Sequence, residues 1–193
     1  NPLGCEGFPA GSLVVTVNTL PDVTISPQPG TLCESSGHLF FVAPTANCSY
    51  HWTLQPAATG TISPFTQGTP SPSVLWNQYG TATLSVVAVN ALTNCTDANA
   101  IQVEVKPAPK PYLTPCFDQQ TYNNAGKIIL RGASPYNPAG QGRYTGTRVS
   151  FNTMTGNWEF DPSGALPGNY QIFYTYENAH GCTGTAEIGR AHV

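Results

Sequence analysis

Along most of this chain apolar and polar residues alternate singly. In TATLSVVAVN, Leu84, Val86 and Ala88 fall on one side. In AIQVEVK, Ile101, Val103 and Val105 alternate with Gln102, Glu104 and Lys106. In CSYHWTLQ, Tyr50, Trp52 and Leu54 alternate with His51, Thr53 and Gln55. A period of two with one apolar side means a sheet half-buried against another layer. No ten-residue window shows the apolar stripe of a helix. The pattern predicts strands near 23–27, 37–43, 48–55, 59–63, 72–77, 81–90 and 99–106, with Trp52 as a large buried aromatic on the third.

The second half follows the same rule. In NYQIFYTYEN, Tyr170, Ile172, Tyr174 and Tyr176 share a face and Phe173 opposes them. LPGNY puts Tyr170 at the start of the penultimate strand, where a tyrosine hydroxyl often ties a sandwich corner to nearby backbone. KIILRG, GTRVSFN and NWEFDP read as further strands, and GQGRYTG as a hairpin turn.

Seven short strands between residues 23 and 106 is the strand count of an immunoglobulin-like sandwich. The chain also repeats itself. Cys5 to Val17 reads like Cys95 to Val105, each a cysteine, a polar loop, an alternating strand and then proline. GTLCESS at Cys33 is echoed by LTPCFDQ at Cys116, and TNCT at Cys95 by HGCT at Cys182. One period is about one sandwich module. The expected organisation is all-β, as tandem modules. Residues 1–22 are the last strand of a preceding module, 23–106 a full sandwich, 107–111 a stiff proline-rich joint and 112–186 a second sandwich. The closing EIGRAHV continues no strand pattern, and 187–193 read as a non-native tail, similar to a translated sequencing adapter.

Composition narrows the setting. Gly (19) and Pro (18) are abundant and charged residues make up only 9%, which suits strands and turns. Six cysteines without a C-x-x-C spacing argue for an oxidising, extracellular compartment and against zinc. No apolar run approaches the roughly 20 residues of a membrane helix, so no membrane insertion is expected in this segment. There is no initiator Met or signal peptide, so a processed product or a piece of something larger is expected. Residues 1–105 hold no Lys or Arg, and the seven later cations do not cluster. Such a surface cannot track a phosphate backbone, which excludes nucleic acid as a partner.

The cysteines admit two schemes. Sandwich topology sets the start of the third strand beside the end of the sixth, favouring Cys48–Cys95. The repeat matches Cys116 and Cys182 to Cys33 and Cys95, favouring Cys116–Cys182 with Cys33–Cys95 as the alternative in the first module. Cys5 would have its partner in the preceding module.

The first module, with Cys33, the Tyr50–His51–Trp52 triplet, VLWNQYGTATLSVVAVN and TNCT, resembles the PKD-like and immunoglobulin-like modules of large secreted proteins of Bacteroidota. The second resembles a companion module through GQGRYTG, EFDP, LPGNY and HGC. The resemblance covers nearly the whole chain. It implies tandem arrays exported by the type IX secretion system, of the adhesin or gliding-associated kind, at the cell surface. It implies no ligand.

Signals for chemistry are sparse. No G-x-S-x-G is present, and His38, His51, His180 and His192 are scattered, so a Ser–His–Asp set finds no support. Glu159 and Asp161 share a strand face, a spacing that paired-carboxylate hydrolysis or calcium would use, but no D-x-D run accompanies them. No catalysis and no cofactor are expected. Twelve aromatics from Tyr112 to Tyr176 exceed what one sandwich core needs. Trp158, Phe173, Tyr136 and Tyr144 are therefore the candidate ligand aromatics, fit to stack on sugar rings or anchor a protein. The expected role is a structural spacer or adhesin-type array, without catalysis, whose partners are neighbouring modules of the same chain. The alternative is a module binding surface polysaccharide or a host or partner protein.

Overall fold

The computed structural model describes residues 14–113, 120–135 and 142–192. The first half holds β1 (Leu32–Cys33), β2 (Gly37–Leu39), β3 (Cys48–Gln55), β4 (Gly60–Ile62), β5 (Ser73–Trp76), β6 (Gly80–Asn90) and β7 (Thr96–Lys106), with one short 3-10 turn at Ala57–Thr59. They form two sheets, ordered β1-β7-β6-β3 and β2-β5-β4. The alternation explains the layering. Tyr50, Trp52 and Leu54 on β3 pair with Ala88, Val86 and Leu84 on β6, and all six are buried. They meet Val74 and Trp76 from the facing sheet in one core. Trp52 is fully buried and its indole N–H donates to the Thr69 carbonyl at 2.9 Å, so its polar atom is satisfied. Truncating such a side chain to alanine costs about 3–5 kcal/mol.

The first expected strand is not one. Residues 23–27 make a single antiparallel bridge, Ser26 to Phe41. Val23 and Ile25 are nonetheless buried in the core. The seventh strand is β1, which pairs parallel to β7 through Leu32↔Val105 and Cys33↔Lys106.

The second half holds β8 (Tyr112–Leu113), β9 (Ile128–Leu130), β10 (Ala133–Ser134), β11 (Gly142–Gly146), β12 (Val149–Asn152), β13 (Asn157–Phe160), β14 (Asn169–Glu177) and β15 (Thr183–His192). Two three-stranded sheets, β11-β14-β15 and β12-β13-β9, are accompanied by a separate two-stranded β10-β8 ladder. Their facing sides bury Leu130 and Phe160 against Tyr144, Ile172 and Tyr174. This cluster is separate from the first one. The Tyr170 hydroxyl donates to the Leu166 carbonyl at 2.9 Å, closing the corner as its position predicts.

Two expectations are corrected here. GRYTG is strand β11, paired with β14, not a hairpin turn. The chain turns after it, at Gly146–Arg148, where Gly146 (φ +154°) packs so closely on the Gln171 carbonyl that a Cβ would collide. The closing residues also continue a strand. β15 runs to His192 and stays paired with β14 as far as Asn169↔His192, with one irregularity between Ile172 and Phe173. A period-2 reading fails across such a bulge because it shifts the alternation by one residue.

The architecture is thus all-β, as tandem immunoglobulin-like sandwiches.

Candidate functional site

Two places carry features that packing alone does not require: the junction between the sandwiches, and a cleft in the second one.

At the junction, Cys33 and Cys182 form a disulfide with Cα atoms 5.6 Å apart, although 149 residues separate them in sequence. This overturns the expected Cys116–Cys182 pair and the alternative Cys33–Cys95; Cys116 and Cys5 themselves lie outside the described residues. Cys48–Cys95 is also not formed, and both are free thiols. The reason is the strand order. Cys48 sits opposite Asn90, and the Asn90 amide donates to the Cys95 carbonyl, so β6 lies between them. Two strand spacings, about 9–10 Å, exceed the roughly 7 Å a disulfide can span.

Asn178 organises the other side of the staple. In the β14–β15 turn its Oδ1 accepts the amides of His180 and Cys182, each at 3.0 Å. Its own amide N–H donates to the Cys182 carbonyl at 2.9 Å. Its Nδ2 then donates to the Pro107 carbonyl at 2.8 Å. One side chain therefore presents Cys182 and grips the linker. Gly184 packs on the linker so tightly that a Cβ would land on the Pro109 carbonyl oxygen. Cys33 lies beside Lys106, the last residue of β7, so the linker and the disulfide leave the first sandwich side by side. One covalent connection leaves a swivel, whereas two adjacent ones plus a hydrogen bond leave little freedom. Sequence reasoning missed Asn178. The available signal was an Asn followed by Gly181, in a turn that needs a positive φ (80°), facing a proline-rich joint that donates few backbone hydrogen bonds of its own.

The cleft, about 670 Å³, opens between β9–β10, β11 and the β12–β13 hairpin. Trp158 and Tyr144 both line it. Tyr144 is buried, its ring tilted against Tyr174 with centroids 4.8 Å apart, and its hydroxyl accepts the Ala133 amide at 3.3 Å. It is a core residue that forms the cleft's inner wall. Trp158 is half-buried and set by a tilted contact with Phe151 at 5.2 Å. Phe173 lies elsewhere, half-buried in a shallow depression with Gln171 and Asn169. Tyr136 lies outside the described residues. The structure thus brings together two of the four candidate aromatics.

The acidic pair serves local structure. Glu159 is buried; its Oε1 accepts from Asn152 Nδ2 at 2.8 Å, and Lys127 Nζ stands 3.7 Å from Oε2. It closes the β12–β13 hairpin. Asp161 caps the next turn by accepting the Ser163 amide at 2.9 Å, and hydrogen bonding from Ser163 holds its carboxyl below the usual carboxylate range. Among the described residues no three His, Cys, Asp or Glu side chains gather closely enough to hold a metal ion. His38 on β2 packs beside Phe40, and His51 is exposed on β3 in the other sheet.

No protein-family model matches the chain, and no curated protein does. Among solved structures it is similar to domains 5–6 of the S-layer protein SbsC, at 13% identity over 90% of this chain and 98% of that one, with a TM-score of 0.36. It is similar to the tandem Ig repeats of Dlar, at 13% identity over 91% and 98%, with a TM-score of 0.32. It is also similar to the fibronectin(III)-like modules of Clostridium thermocellum CbhA, at 13% identity over 88% and 94%, with a TM-score of 0.35. The likeness is to immunoglobulin-like and fibronectin-III-like modules and goes no further than architecture.

Proposed function

We propose that this chain is a stiff, non-catalytic pair of modules within a secreted or cell-surface protein, holding its neighbours at a fixed distance and orientation for adhesion. The observation that carries the reading is the Cys33–Cys182 staple across the junction. A disulfide persists outside the cell and is kept reduced in most cytosols, which also supports an extracellular place. The neighbours are further modules of the same chain. Val15 and Val17 are 71% and 89% exposed, while their repeat equivalents Val103 and Val105 are 2% exposed inside the first sandwich. The exposure of these valines supports the expectation that residues 1–22 close a preceding module. The PKD-like resemblance to Bacteroidota surface proteins, with type IX export, belongs to the same proposal.

The test is a distance distribution between spin labels on Ser49 and Thr155, both exposed and in different sandwiches. A single narrow peak that broadens on adding reductant is expected. A broad distribution in the oxidised protein sinks the spacer reading.

A second reading, a ligand-binding module, is favoured by the cleft that Trp158 lines.

A further inference from the structure

We infer that the Trp158 cleft is a subsite for an acidic sugar residue, carboxylated or sulfated, with the indole as stacking surface and Arg131 as counter-charge. This rests on the second reading above and names its ligand class.

Three observations converge. First, the chain's two other well-placed tryptophans, Trp52 and Trp76, are fully buried, whereas Trp158 is left half-exposed at the edge of its core. An indole that contacts Phe151 and lines a cleft offers a rigid aromatic surface for the C–H face of a pyranose. The cleft volume, about 670 Å³, falls in the range of small-ligand sites, roughly 300–1,000 Å³.

Second, the wall mixes that surface with polar groups that can bond ring hydroxyls. Asn157 and Ser134 line it, and Gly132 and Gly156 keep side chains from closing it. Gly156 sits at φ +70° in the β12–β13 turn, and a Cβ there would meet nothing within 4 Å, so the mouth is open on that side.

Third, the charge is one-sided. Among the described residues, Arg131 is the only charged one in the wall, and it is exposed and makes no salt bridge. Glu159, next to Trp158 on β13, is already held by Asn152 and Lys127. A neutral sugar leaves the guanidinium without a counter-ion. A uronate carboxylate or a sulfate ester supplies one, through the paired geometry that guanidinium groups favour.

The test is calorimetric titration of the full chain at low salt with oligogalacturonate, a sulfated galactan oligosaccharide and a neutral β-glucan oligosaccharide. Binding of one or both acidic ligands in preference to the neutral one is expected, and comparing the two acidic ligands tells carboxylate from sulfate. Arg131→Gln is expected to weaken acidic binding by about tenfold or more with unchanged melting temperature. Trp158→Phe, which keeps a core aromatic, is expected to weaken it as well and to remove the ligand-dependent change in fluorescence. Equal binding of neutral and acidic ligands, or acidic binding indifferent to Arg131→Gln, overturns the acidic assignment and leaves the binding-module reading standing. Absence of binding to all three overturns both.

Discussion

Asn178 donates to the Pro107 carbonyl across the junction at 2.8 Å while its other side-chain atom shapes the turn that carries Cys182. Replacing it separates the two roles. Asn178→Ala removes all three side-chain bonds and is expected to cost about 1–3 kcal/mol in the second sandwich. Asn178→Asp keeps the acceptor and loses the donor. It is expected to cost less stability but to loosen the junction as much, read as faster proteolysis within 107–111. If the Asp variant resists protease like the parent, the linker bond is not what restrains the joint.

Peptide mapping without reductant is expected to return a linked pair of Cys33 and Cys182, with Cys48 and Cys95 alkylated as free thiols once the protein is unfolded. Recovery of a Cys116–Cys182 or Cys33–Cys95 pair contradicts the staple, whereas a Cys48–Cys95 pair contradicts only the free thiols.

Gly184→Ala introduces a methyl group against the Pro109 carbonyl. The joint must shift to admit it, at about 1–3 kcal/mol. The second core is not touched, so the expected signature is a broadened inter-module distance with the near-ultraviolet dichroism of the tyrosines retained. An unaltered distance distribution argues that the linker does not bear on β15.

Tyr170→Phe removes one hydroxyl-to-backbone bond, to Leu166, while keeping the ring on Phe160 at 5.6 Å. A loss of about 1 kcal/mol is expected in a denaturant titration. No loss assigns the corner to packing alone.

Asp161 gives a pH signature. Its folded carboxyl is held lower than the ordinary value by Ser163. A group depressed in this way stabilises the fold above its unfolded pKa, near 3.9, and the contribution disappears as pH falls through the lower folded value. Asp161→Asn is therefore expected to flatten the fall in melting temperature below about pH 4 and to change little of its slope at neutral pH. An identical acid limb in both proteins removes Asp161 from the account.

The strands were legible wherever one face is buried and the other wet. β3, β6 and β7 alternate cleanly because each lies in a half-buried sheet, and Tyr170 announced its corner through LPGNY. β1 was not legible, since two residues pairing in parallel leave no alternation to read. The Cys33–Cys182 pair was hidden for a different reason. Its geometry belongs to the contact between two modules, while repeat matching and strand order describe only the inside of each. Among the candidate aromatics, periodicity separates core side from outer side, but it cannot say where a sandwich gapes. Trp158 and Tyr144 both pack on the second core, yet Tyr144 is buried and Trp158 is half-buried beside the cleft.

The staple has a mechanical corollary. When the chain is pulled from its ends, tension entering at Cys33 crosses to Cys182 through sulfur and bypasses the 149-residue interval between them. That interval, roughly 500 Å if drawn straight, is withheld from extension while the cystine is intact. An array of such pairs behaves under shear as a near-inextensible tether, and a reducing encounter converts it into a long shock-absorbing one.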